Sequence, residues 1–136
     1  MEFNFITEKF DENDIFNMPS TTLAFVGDAF FSLYVKTKVL NKNAKSGKFH
    51  LLSTNFVKAS AQRGFLNKVL NNLTEREKDV VRRAKNTHTS SKSKNAGLSD
   101  YKNATAYEAL IGYLFLNKNE QRLKEILDIS FEEELW

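Results

Sequence analysis

Cysteine is absent from this 136-residue chain, which excludes disulfides and thiolate metal sites and fits a reducing compartment. Proline occurs once and glycine five times; so few breaks favour long helices over a turn-rich sandwich. No basic region followed by an apolar core stands near the start, so no signal peptide is expected. The longest apolar run is too short and too interrupted to span a bilayer, which takes roughly 20 residues. No tract alternates apolar and polar residues for more than a few positions, and no internal repeat or low-complexity tract occurs. These absences leave a soluble, cytoplasmic, all-α protein with no membrane partner. Its 41% hydrophobic and 27% charged content suits one domain with a real core.

The net charge is only +3, but it is unevenly spread. The leading residues are acidic (Glu2, Glu8, Asp11, Glu12 and Asp14 against Lys9), and so is the end, at Glu132, Glu133 and Glu134. Between Arg82 and Ser99 stand Arg82, Arg83, Lys85, Lys92 and Lys94, with no acid among them. That is a local basic patch in an exposed Ser/Thr/Lys/Asn setting. A plain solvated loop has the same composition, and Arg82 and Arg83 could pair with the acidic leading arm instead.

Taken in order, residues 1–17 read as a short helix or an ordered arm. Met18-Pro19-Ser20 breaks the pattern, and Ser20, Thr21 or Thr22 can cap a helix running to about Leu40. A polar loop, 41–48, follows. From about Phe49 to Leu70, apolar residues recur near helical period at Phe49, Leu52, Phe56, Ala59, Leu66 and Leu70, with Gly64 as a point of bending. Thr74 and Glu77 form a capping box for a helix with Val80, Val81 and Ala84 inward, ending at Asn86. Thr87 to Asp100 reads as a loop. Asn103 or Thr105 opens a helix over Ala104 to Leu116, and a last amphipathic helix runs from Glu120 to about Phe131.

Two of these helices are apolar on nearly every side and carry one carboxylate each. Asp28 shares its face with Ala24, Phe25, Phe31, Ser32 and Val35; Glu108 shares its own with Ala104, Thr105, Ile111, Gly112 and Phe115. A buried charge needs a partner. Gly27 and Gly112 cost helix propensity, and close approach of the two backbones is the expected return. If the helices pack, Asp28 and Glu108 converge, as carboxylates do in bundle-core metal sites. Hard oxygens without nitrogen or sulfur suit Mg²⁺, with Mn²⁺ as a substitute. The plainer alternative leaves each acid salt-bridged to a lysine or facing solvent. Leu23, Val26, Phe30, Leu33 and Tyr34 cover the other sides of the first helix. A helix apolar all round must be buried all round, either inside one chain or against a second copy across a two-fold axis.

Leu23-Ala24-Phe25-Val26-Gly27-Asp28-Ala29 resembles the signature helix of ribonuclease III domains, and Thr105-Ala106-Tyr107-Glu108-Ala109-Leu110-Ile111-Gly112-Tyr113-Leu114-Phe115-Leu116 resembles that family's other catalytic helix. Order and separation agree from about Ser20 onward. There is no room here for a separate double-stranded-RNA-binding domain, and the chain looks most like the short Mini-III group. The resemblance implies a two-fold symmetric homodimer of helical bundles, with residues 1–19 an arm and 20–136 the catalytic domain. It implies a Mg²⁺-dependent endoribonuclease that cuts double-stranded RNA to 5′-phosphate and 3′-hydroxyl ends. The substrate it implies is the precursor of large-subunit (23S) ribosomal RNA, and a ribosomal protein bound to that RNA is a further candidate partner. Asp28 and Glu108 fall on the metal-binding catalytic acids. Longer members have a glutamate where this chain has Ala24 and an aspartate where it has Thr105. Fewer carboxylates then serve each site, and Thr105 is left to orient a metal-bound water. Arg82, Arg83, Lys85, Asn86, Lys92 and Lys94 are the candidate RNA contacts. His50 and His88 read as surface or RNA-proximal residues rather than a base. The rival expectation is a helical module that binds RNA or the ribosome and has lost the chemistry, which the presence of both acids argues against.

Overall fold

A computed structural model describes residues 4–7, 10–40, 46–87 and 96–132, and every regular element among them is helical. Two short helices, α1 (Asn4–Thr7) and α2 (Glu12–Phe16), precede α3 (Ser20–Val39). Next come α4 (Ser46–Val57), α5 (Ala59–Val69), a single 3-10 turn (Leu70–Asn72) and α6 (Glu75–Asn86). The long α7 (Ala96–Leu116) and α8 (Glu120–Ser130) complete the bundle.

The α3/α7 pair is the axis of the fold. Leu23, Phe31, Val35 and Val39 of α3 and Ala106, Tyr107, Ala109, Leu110 and Ile111 of α7 are buried. Around them α5 contributes Phe65, Leu66 and Val69, α6 Val80, Val81 and Ala84, and α8 Leu123, Ile126 and Leu127. Rings fill the space that the aliphatics leave: Phe31 meets Tyr107 edge-on at 5.4 Å, and Phe65 meets Phe131 at 4.5 Å. The fully buried Tyr107 hydroxyl is satisfied, because it donates to Ser130 Oγ at 2.7 Å and Ser130 donates to the Ile126 carbonyl. A buried hydroxyl without such a partner would be costly.

Gly27 and Gly112 meet where α3 crosses α7. A Cβ on Gly27 would stand 1.8 Å from the Glu108 carbonyl oxygen, and one on Gly112 would stand 2.0 Å from that of Leu23. Nothing larger than hydrogen fits. The expected close approach is therefore present, and it is backbone against backbone.

Four local expectations are corrected. First, no hydroxyl caps α3: Pro19 holds the N-cap position and its carbonyl accepts from Thr22 and Leu23, while Ser20 is inside the helix and buried. Second, the chain breaks at Lys58, which is extended, and Gly64 lies exposed within an unbroken α5. The turn at Lys58 lets Phe56 and Val57 as well as Phe65 and Leu66 reach the core. Third, α7 starts eight residues before Ala104, at Ala96. Asn103 bonds back to the Ser99 carbonyl at 2.8 Å rather than capping, and Arg63 on α5 anchors the early turns through Asp100 at 3.0 Å. Fourth, α3 is not covered all round inside one chain, for Phe25 is 78% and Leu33 61% exposed, which leaves the second-copy alternative. The Thr74–Glu77 capping box, by contrast, forms as expected.

Candidate metal centre

The glycine crossing sets the two acids side by side. Asp28 follows Gly27 on α3, Glu108 supplies the very carbonyl against which Gly27 rests, and their carboxyls come within hydrogen-bonding reach. Asp28 is exposed and Glu108 half-buried. The pair thus sits at the mouth of the helix crossing and not in the apolar interior that the pattern around Asp28 suggested. Burial first, and then the neighbouring Asp28 charge and its hydrogen bond, push Glu108 up to about 8. Two carboxyls so placed repel each other when both are charged, which together with burial favours the protonated form of Glu108.

A divalent cation fits this donor set. Both groups are hard oxygen donors, and the repulsion that raises Glu108 is what a shared cation would relieve. Among the described residues, no third histidine, cysteine, aspartate or glutamate joins them in a metal-holding group. Few protein ligands with many waters is how Mg²⁺ is commonly held.

Gln62 of α5 completes the surroundings, and the sequence reading missed it. Its side chain is 1% exposed, its Nε2 donates to the Val57 carbonyl at 2.9 Å, and the same amide approaches the Glu108 carboxyl and favours its charged form. Its Oε1 is buried without a partner among the described residues. A signal was available: Gln62 fills the step between Ala59 and Leu66 in the inward stripe, where an apolar residue belongs. Thr105 lies one turn before Glu108 and is half-buried. Ala24, one turn before Asp28, is buried.

The basic residues divide. Arg83 is tied into the fold: it reaches Asp79 at 3.0 Å, donates to the Phe16 carbonyl at 2.7 Å and lies over the Phe16 ring. Arg83 thus meets the arm through the backbone and ring of Phe16, while its ion pair is with Asp79 on its own helix and not with the arm's acids. Arg82 pairs with Asp79. Lys85 and Asn86 line a groove of about 320 Å³ with Lys78, Arg82 and an apolar floor of Leu70, Leu73 and Val81. Lys92, Lys94 and His88 lie outside the described residues, and His50 is exposed on α4. A larger cleft, about 740 Å³, opens where α6, α7 and α8 end or begin, and it contains neither Asp28 nor Glu108. Its wall is structural: Arg122 grips the buried Glu77 through both carboxylate oxygens at 2.8 Å.

Comparison with known proteins follows the same lines. The Ribonuclease III domain family matches residues 21–119. A Mini-ribonuclease 3 of Clostridium tetani is 36% identical over 127 residues, covering 92% of this chain and 84% of that protein. One from a Thermoanaerobacter species is 38% identical over 125 residues, covering 91% and 88%. A crystal structure of a protein from Fusobacterium nucleatum superposes with a TM-score of 0.75 at 32% identity, over 85% of this chain and 93% of that one.

Proposed function

This chain belongs to the ribonuclease III family and is an endoribonuclease; from that premise we propose that it cuts double-stranded RNA with Mg²⁺ held between Asp28 and Glu108, maturing the precursor of 23S ribosomal RNA. The observation that carries this reading is the meeting of the two carboxyls at the Gly27/Gly112 crossing. When bound, the cation would supply an activated water and offset charge on the scissile phosphate. Asp28, exposed, faces the approaching substrate; Glu108, half-buried, gives up its raised proton when the pair is engaged. Thr105 offers a hydroxyl on the Glu108 face to orient water. Lys85 and Asn86 offer donors to phosphates and 2′-hydroxyls on the wide minor groove of A-form RNA.

Residues 20–136 are the catalytic unit in this reading, with 1–19 an arm. A homodimer is part of it. Phe25 and Leu33 present apolar surface on the outer side of α3, and a second copy across a two-fold axis would cover them. Each strand of a duplex would then meet its own pair of acids. A ribosomal protein on the substrate is a compatible partner. The alternative, a module that binds RNA without cutting it, gains nothing from two acids brought together. The test is duplex RNA with Mg²⁺, with and without EDTA. Wild type should give 5′-phosphate and 3′-hydroxyl ends only with the cation, and Asp28→Asn should bind RNA without cutting it. Normal cutting by Asp28→Asn would overturn the reading.

A further inference from the structure

We propose that Gln62 is a positioning residue of this centre, its amide nitrogen holding the Glu108 carboxyl toward Asp28. The inference rests on the reading of the carboxyl pair given above and adds a residue to it. Gln62 is 1% exposed and belongs to a third helix, α5, packed against α7. A primary amide has two N–H donors and one carbonyl acceptor. Here one N–H is fixed by the Val57 carbonyl, at the last residue of α4, at 2.9 Å, and the amide's other contact is with Glu108. The Val57 carbonyl fixes which end of the amide is the nitrogen, because the reverse placement would set oxygen against oxygen there.

The acceptor side tells against a purely structural role. Oε1 is buried and receives no hydrogen bond among the described residues, and an unmet buried acceptor weakens a fold. An aliphatic side chain of similar volume at this inward position would remove that unmet acceptor, at the cost of the single hydrogen bond to the Val57 carbonyl. What an aliphatic cannot supply is the donor to Glu108. A glutamate on a helix has several rotamers open to it, and a fixed donor anchored to the end of α4 selects among them. Groups that orient a metal ligand without touching the metal commonly matter at the level of 10–100-fold in affinity or activity.

The experiment measures Mn²⁺ binding by electron paramagnetic resonance at one fixed pH on the full chain, for wild type, Gln62→Leu, Gln62→Met and Asp28→Asn. Melting temperature is recorded for each, together with kcat and KM on duplex RNA. Both Gln62 variants should stay folded, with a modest loss of melting temperature from the Val57 hydrogen bond, bind Mn²⁺ on the order of tenfold more weakly, and lose kcat while KM for RNA stays. Folded variants with wild-type Mn²⁺ affinity and kcat would overturn the inference, and so would failure of both variants to fold, since that would make the amide structural. If Asp28→Asn binds Mn²⁺ as well as wild type does, the proposed function itself falls and this inference goes with it.

Discussion

Arg83 and Phe16 hold each other: the guanidinium donates to the Phe16 carbonyl at 2.7 Å and lies 4.7 Å from the centre of its ring. Arg76 lies over the same ring at 4.2 Å. Arg83 is thus committed to the fold, whereas Lys85 has no ion pair among the described residues and lines an open groove. Arg83→Ala should cost about 1–2 kcal/mol in urea unfolding and leave RNA binding nearly intact. Lys85→Ala should do the reverse, weakening duplex binding and lowering the salt slope by about one. Fluorescence anisotropy across a salt series reads the second effect, and an unchanged slope would remove Lys85 from the RNA contacts.

Gly27→Ala forces a methyl to 1.8 Å from the Glu108 carbonyl oxygen, and no side chain can yield to relieve it. The helices must separate, at a cost of about 3 kcal/mol or more, and the acids part with them. Gly64→Ala meets nothing within 4 Å and should stabilise the exposed middle of α5 by about 0.5–1 kcal/mol. Paired melting curves check both; equal shifts would contradict the crossing.

Burial and Asp28 raise Glu108 to about 8, against roughly 4.3 in an unfolded chain. The folded protein therefore keeps a proton that the unfolded chain releases, and cation-free wild type should lose stability as pH rises through that window. Glu108→Gln cannot ionise there. In EDTA its melting temperature should gain on wild type steadily from pH 5 to pH 8, although cleavage is lost. Parallel curves would mean that Glu108 is not raised in the folded protein.

Glu77 behaves in the opposite sense. Burial raises its carboxyl, but hydrogen bonds from Arg122 and Thr74 and the Arg122 charge outweigh it and leave the group below the ordinary range. Its stabilisation is present above the unfolded value, about 4.3, and disappears as pH falls through the lowered folded value. Glu77→Gln should cost about 2 kcal/mol at pH 7, with the difference closing under acid. Urea titrations at pH 7 and pH 3 give the comparison.

Phe25, 78% exposed, is the side chain on which the proposed dimer depends most. Phe25→Asp should shift sedimentation at micromolar concentration from two copies to one while leaving the helical content of each chain unchanged. A monomeric wild type would refute the dimer directly.

Much of this architecture was legible in the residue pattern. The Thr74–Glu77 box announced the start of α6, and the glycine in each apolar helix announced a tight crossing, because both signals are local and have one physical cause. Other features depend on distant partners. The break at Lys58 and the early start of α7 follow from contacts such as Arg63–Asp100 that no periodicity encodes. The first turns of the Ala96–Leu116 helix, before Ala104, were hidden by Gly97, Ser99 and Asn103, which are poor helix formers on their own. Apolar residues on every side of α3 could not say which side faces inward, so Asp28 read as buried. Gln62 looked like one more polar residue until its burial was seen.

The contact of Gly27 with Gly112 has a consequence for how the protein tolerates change. Main chain resting on main chain cannot be recut by exchanging one aliphatic for another, so the gap between the two acids is a property of covalent geometry. Elsewhere in the bundle, drift can alter the cushioning between helices and leave the spacing at the mouth of the crossing as it was.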